Sequence, residues 1–216
     1  MSRNFIRYTQ GEPLRQLSGA LIDEFNVDGE GDGSPADPVE LRYPLETLDM
    51  EQDLDKRPMA LRIMGRTEVS RVYPNMGNLS ERAIQTAIDS DEDMSDGYPI
   101  RFDEVSFDEH SDGSSHLTLR LSPESLDDVL ADSDGICDVL NALAKRYRMN
   151  PRKRWNHTFE PDLTVAYFPA PDSTEELRTQ HRLKAKASEI VKDEVGDGLE
   201  ADLGPLRIVP FGDLLG

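Results

Sequence analysis

Lysine is nearly missing from this chain: its 216 residues hold 6 lysines and 18 arginines against 25 aspartates and 18 glutamates, for a net charge of −19. So few cations argue against sequence-independent nucleic-acid binding by most of the surface, since that binding runs on neutralised phosphates. Cysteine is reduced to Cys137 alone, so no disulfide can form within the chain. Set beside an apolar stripe, that thiol reads as a small core residue. No run approaches the roughly 18 apolar residues of a membrane helix. The N-terminus also lacks the apolar stretch of a signal peptide, so the expectation is a chain in contact with no membrane and not exported by that route. The four histidines, His110, His116, His157 and His181, include no two at metal-ligand spacing on one element. Phosphate-binding glycine loops, the Gly-x-Ser-x-Gly elbow and the dinucleotide fingerprint are missing as well, and no cofactor is expected.

The charge that is there consists of short carboxylates, and such a surface repels itself at low salt and relies on counter-ions to stay compact. In this it resembles proteins of salt-accumulating haloarchaea and their viruses, which implies the cytoplasm of such a host, or a virion, as its place.

The strongest structural signal lies between Tyr98 and Phe168. Ile100 to Phe107 and His116 to Leu121 alternate apolar and polar residues, the period-2 pattern of half-buried strands, joined by a polar loop over 108–115. Ser122 and Pro123 start a helix that Asp132-Ser133-Asp134-Gly135 is expected to interrupt. After the restart, Ile136, Val139, Leu140, Leu143 and Tyr147 fall on one helical stripe. A strand over 159–168 follows, with Leu163, Val165 and Tyr167 on one face and Asp162, Thr164 and Ala166 on the other. A helix across a mostly antiparallel sheet buries both sets, so the fold class is α+β with helices packed on one face and long acidic loops.

Around this block, residues 2–9 read as a short strand or an N-terminal arm, and Glu12-Pro13 opens a helix bearing Leu14, Leu17, Leu21 and Phe25. Strands are expected at Val39–Tyr43 and Met59–Met64. Asn78 and Glu81 form a capping box for a helix to Ile88, followed by an acidic loop over 89–97. Ser173 and Glu176 cap a helix over 174–195, 197–204 reads as a loop, and Leu206 to Phe211 as a last strand, at an edge because of Pro210. The expected organisation is a core domain over 1–171, with the arm and an acidic loop at 26–38, then a C-terminal helix and edge strand over 172–216.

Three stretches carry candidate chemistry. Asp28, Glu30 and Asp32, followed by Gly33, match the first half of a calcium-binding loop, but Val39 stands where the twelfth-position glutamate belongs. Lys145, Arg146, Arg148, Arg152, Lys153 and Arg154 place six cations in ten residues, part of which complements a helix dipole. The rest reads as a contact surface for acidic protein, a second copy included, with nucleic-acid phosphate as the other fit.

The third is the pair His116-Leu117-Thr118-Leu119 and Asp162-Leu163-Thr164-Val165, which resembles the paired His-x-Thr strands of the two-histidine phosphoesterases. That resemblance implies two imidazoles acting as acid and base on a cyclic phosphate whose oxygens the threonines bind. Asp162 departs from it, being an anion where the second imidazole belongs. If 159–166 holds the second motif, the first falls near Met59–Gly65, where there is no histidine.

The order of elements is similar to that of tail-completion and head–tail connector proteins of tailed viruses, which implies a non-catalytic assembly protein forming an oligomeric ring with neighbouring structural proteins. The alternative reading is a degenerate or active cyclic phosphodiesterase of the two-histidine kind, using His116, Thr118, Asp162 and Thr164.

Overall fold

A computed structural model describes residues 3–25, 39–45, 57–65, 80–148 and 161–210. Its strands are β1 (Arg3–Gln10), β2 (Glu40–Tyr43), β3 (Arg57–Pro58), β4 (Ala60–Met64), β5 (Tyr98–Glu109), β6 (Ser115–Leu121), β7 (Asp162–Phe168) and β8 (Leu199–Pro210). The helices are α1 (Glu12–Phe25), α2 (Glu81–Ile88), α3 (Glu92–Ser95), α4 (Pro123–Arg146) and α5 (Thr174–Val195). The strands form one eight-stranded sheet in the order β3-β2-β7-β6-β5-β8-β1-β4, antiparallel except for the β2–β3 pair. This is the α+β class, with a mostly antiparallel sheet.

The two ends of that strand order are one run of chain. Met59, between β3 and β4, donates its N–H to the Tyr43 carbonyl at 2.6 Å, and its own carbonyl accepts the Thr9 N–H at 3.1 Å. One residue thus ties β2 at one side of the sheet to β1 at the other, and the sheet curls until β4 lies against β7. Closing a sheet in this way leaves fewer unpaired edges and makes a concave inner face.

The outer face carries the helices. Helix α1 packs on β2, β8 and α5, whereas α4 packs on β4, β5, β6 and α2. The 3.6-residue spacing supplies their buried stripes, Leu14, Leu17, Leu21 and Phe25 on α1, and Ile136, Leu140 and Leu143 on α4. Each such side chain contributes about 1.5–3 kcal/mol by leaving water. Cys137 is buried among them, as expected. Tyr147 is not: it ends α4 as its C-cap and is 51% exposed.

Helix α4 runs unbroken through Asp132-Ser133-Asp134-Gly135, against expectation, because tertiary partners take up the polar side chains that would otherwise break it. Asp132 receives two hydrogen bonds from Arg7, and Ser133 Oγ donates to the Ile63 carbonyl at 3.2 Å. At Gly135 an added Cβ would stand 3.4 Å from Met94 Sδ, so its lack of a side chain lets α3 pack close.

Three other expectations change. Residues 3–10 are not an arm but an interior strand, paired with β4 and β8, since Phe5 must be buried and Arg7 has a buried partner. The last strand begins at Leu199 and lies between β5 and β1 rather than at an edge; Pro210 is tolerated because it stands at the strand's end. The C-terminal segment therefore belongs to the same sheet. Helix α2 is capped by Ser80, whose Oγ accepts the Ala83 N–H at 3.2 Å, while Asn78 lies outside the described residues. The capping of α5 by Ser173 holds: its Oγ accepts the Glu176 N–H, and the Glu176 carboxylate reaches back to the Asp172 N–H.

Candidate binding site

Strand register decides which side chains meet on the inner face. Thr118 on β6 stands opposite Thr164 on β7, and Arg120 opposite Asp162. On the other side of β6, Asp108 of β5 pairs with His116, and Ser106 with Thr118. Directly opposed residues share a face, so His116, Thr118, Asp162, Thr164 and Asp108 all come to the concave side. The sequence pattern placed Ala166 there and Tyr167 in the core, but a bulge between Leu117 and Thr118 reverses the alternation. Ala166 is buried against the core and Tyr167 joins the inner face, its ring centroid 5.0 Å from that of His116.

A cavity of about 380 Å³ opens on this face. Its wall includes Asn4 from β1, Arg42 from β2, Ala60 and Arg62 from β4, Asp108 from β5, His116 from β6, and Asp162 and Thr164 from β7, with His110 from the β5–β6 turn. In that turn the His110 N–H bonds to the Ser114 carbonyl and the Gly113 N–H to the His110 carbonyl, Gly113 taking φ 89°. The tight reversal brings the His110 ring edge-on to His116, 4.8 Å between centroids.

Each charged group here is held by a neighbour. Arg120 donates from Nε to Ser106 Oγ at 3.0 Å and from Nη2 to Asp108 Oδ1 at 3.1 Å. The Thr118 hydroxyl sits 3.3 Å from the Ser106 carbonyl oxygen and 3.4 Å from Asp108 Oδ2, and Thr118 is fully buried. Thr118 therefore braces Asp108 and does not line the cavity, whereas Thr164 does. Burial, then the hydrogen bond and the repulsion from Asp108, push the Asp162 carboxyl up to about 6, with Arg62 and Arg120 acting in the opposite sense. Burial, His110 and Arg42 hold the His116 imidazole below its ordinary value, so it is neutral at pH 7. Burial and the nearby Arg57 lower Arg42, against the pull of Glu40, which is itself paired with Arg57. A partly desolvated guanidinium of this kind gains from an arriving anion.

The sequence-derived set His116, Asp162 and Thr164 is thus brought together, while Arg42, Arg62, Asp108 and His110 were missed. Their signal was present: Arg42 and Arg62 sit at the polar positions of alternating strands, yet nothing local shows that β2 and β4 face one cavity. Strands β4 and β7 put Ala60 and Arg62 on one wall and Asp162 and Thr164 on another, each two residues apart.

Of the basic strip, Lys145 and Arg146 end α4 and Arg148 follows at φ 55°; Arg152, Lys153 and Arg154 lie outside the described residues. So do Asp28, Glu30 and Asp32 of the acidic loop. Among the described residues no cluster of three or more histidine, cysteine or acidic side chains is arranged to hold a metal, and no helix is long and apolar enough to cross a membrane.

No protein-family model matches the sequence, and no curated protein matches it. Among solved structures the chain is similar to Usb1 of Kluyveromyces marxianus, with a TM-score of 0.44 and 12% identity over 96% of this chain and 93% of that one. A second structure, of the same protein with uridine monophosphate, gives a TM-score of 0.42 and 13% identity over 97% and 98% of the two chains.

Proposed function

We propose that this chain binds a phosphate ester in the inner-face cavity, as a degenerate relative of the two-histidine phosphoesterases. The observation behind this reading is the convergence of Arg42 and Arg62, from strands near the two ends of the strand order, beside Thr164 and a neutral His116. On a protein of net charge −19 a concave site bearing two guanidiniums is a local exception, suited to a bidentate hold on phosphoryl oxygens. Hydrolysis by the family's route needs an imidazole on each motif strand, and Ala60 and Asp162 occupy those places. Binding without turnover is therefore the reading.

Calorimetric titration with 2′,3′-cyclic and 2′–5′-linked nucleotides in molar KCl tests it. Wild type binds a cyclic phosphate, Arg42→Ala and Arg62→Ala each weaken it at least about tenfold, as loss of a charge-assisted pair implies, and no product accumulates. Lack of binding by wild type overturns the reading, and turnover lost in His116→Ala makes the chain an enzyme.

Assembly into a ring is a second reading, favoured by one observation: Tyr147, a large exposed ring, shares a shallow cavity with Arg82 and Arg146 at the start of the basic strip. Aromatic and arginine side chains together are common anchors of protein interfaces.

A further inference from the structure

Resting on the phosphate-binding reading, we propose that Asp162 enters the cavity as a carboxylic acid, held by Asp108, and donates a hydrogen bond to the bound phosphate. It would be a specificity-determining residue in the place of an imidazole, and binding would be linked to one proton.

The geometry leads there in three steps. Asp162 and Asp108 both line the cavity, and the Asp108 charge raises the cost of ionising Asp162. Two carboxylates that share one small cavity do not both ionise freely, so one of them keeps its proton to a higher pH. The surroundings decide which one. Asp108 accepts from Arg120 Nη2 and lies within reach of the Thr118 hydroxyl, contacts that favour its ionised form. Asp162 has no comparable set of donors among the hydrogen bonds described, and burial weighs most heavily against its charge. Asp108 thus remains the anion, and on the acid side of about pH 6 Asp162 carries the proton.

The groups facing this pair come from every wall: Arg62 on β4, Arg42 on β2, His116 and Arg120 on β6, Thr164 beside Asp162 on β7, His110 in the turn, and the uncharged Asn4 on β1. A phosphate between Arg42 and Arg62 brings negative charge toward Asp162. Ionised, Asp162 repels it; protonated, it supplies an O–H toward a phosphoryl oxygen, and the Asp108 carboxylate stays neutralised by Arg120. Removing the Asp162 proton therefore replaces a hydrogen-bond donor with a repelling charge beside the two guanidiniums and weakens the site's hold on the phosphate. Loss of a proton from an imidazole would weaken anion binding in the same sense, so the experiment has to separate the histidines from the acid.

Two measurements do this. In the ligand-free protein, carbon NMR of the aspartate carboxyls follows Asp162 directly: it titrates near pH 6, and in Asp108→Asn its midpoint moves down toward the ordinary aspartate range. In calorimetry with uridine 2′,3′-cyclic phosphate between about pH 5 and pH 8, wild-type affinity falls as pH rises, by up to about tenfold per unit above the Asp162 midpoint. Asp162→Asn keeps an N–H donor and loses that part of the fall, retaining affinity at the alkaline end. A Asp162 carbon titrating at the usual aspartate value overturns the proposal whatever the ligand does. A fall just as steep in Asp162→Asn assigns the proton to His110 or His116 and also overturns it. If Asp162 titrates near pH 6 but wild type binds no phosphate at any pH, the donor role falls together with the phosphate-binding reading.

Discussion

Arg7 and Asp132, 125 residues apart, meet in a buried two-pronged ion pair, Nε to Oδ2 at 2.7 Å and Nη2 to Oδ1 at 2.8 Å. The remaining donors of Arg7 reach the carbonyls of Asp96 at 2.7 Å, Gly204 at 2.8 Å and Asp93 at 3.3 Å, while the guanidinium lies over the Tyr98 ring. Tyr98 donates its hydroxyl to Asp132 Oδ2 at 2.7 Å, and burial with that carboxylate holds its phenol well above the ordinary range. One side chain thus joins β1, β8, α3 and α4.

Breaking that pair leaves a fully buried guanidinium with fewer partners. Asp132→Ala is expected to destabilise the protein by about 3–5 kcal/mol, the range for an orphaned buried charge, and Tyr98→Phe by about 1 kcal/mol, an ordinary hydrogen bond. Urea unfolding in molar KCl checks both; an Asp132→Ala midpoint equal to wild type would remove the anchor role.

Stability should follow the protonation of Asp162 with a definite sign. Its folded value, about 6, lies above the ordinary aspartate value of 3.8, so the native state binds the extra proton between them and stability declines as pH rises through this window. Above it the cost is complete. Asp162→Asn is therefore expected to raise stability by about 1–3 kcal/mol at pH 8, from a shift of roughly two units at about 1.4 kcal/mol each reduced by solvent screening. The advantage shrinks toward pH 4. Melting curves of the two proteins across pH test this, and a gap that widens with acid would reverse the assignment.

The carboxylate surface predicts dependence on salt. Between about 0.1 and 1 M KCl the screening length falls from ~10 to ~3 Å, which suppresses repulsion among exposed carboxylates. The thermal midpoint should rise over that interval, and a flat or falling midpoint would contradict the reading of the composition.

For the assembly reading, Arg152→Glu with Arg154→Glu should leave a folded monomer of 24.3 kDa where wild type is larger, as seen by light scattering in molar KCl. Like charges facing each other across an interface cost several kcal/mol. A wild type that is itself monomeric under those conditions would remove the basis for a ring.

Periodicity alone was enough to establish the α+β class, the β5–β6 hairpin, the stripes of α1 and α4 and the cap of α5, because each rests on residues a few positions apart whose burial follows from local geometry. His116, Asp162 and Thr164 were legible for the same reason, as polar positions on strands that otherwise alternate. Sequence could not show that Met59 joins the two sides of the sheet, that β1 and β8 are interior strands, or that Asp132 is buried with Arg7 rather than breaking its helix. These depend on partners dozens of residues away, and a polar side chain reads as a surface residue until its partner is known. The cavity belongs to this second kind: Arg42, Arg62, Asp108 and Asp162 become a site only when the sheet curls, and a bulge of one residue decides that Tyr167 rather than Ala166 lies on the His116 side of the sheet.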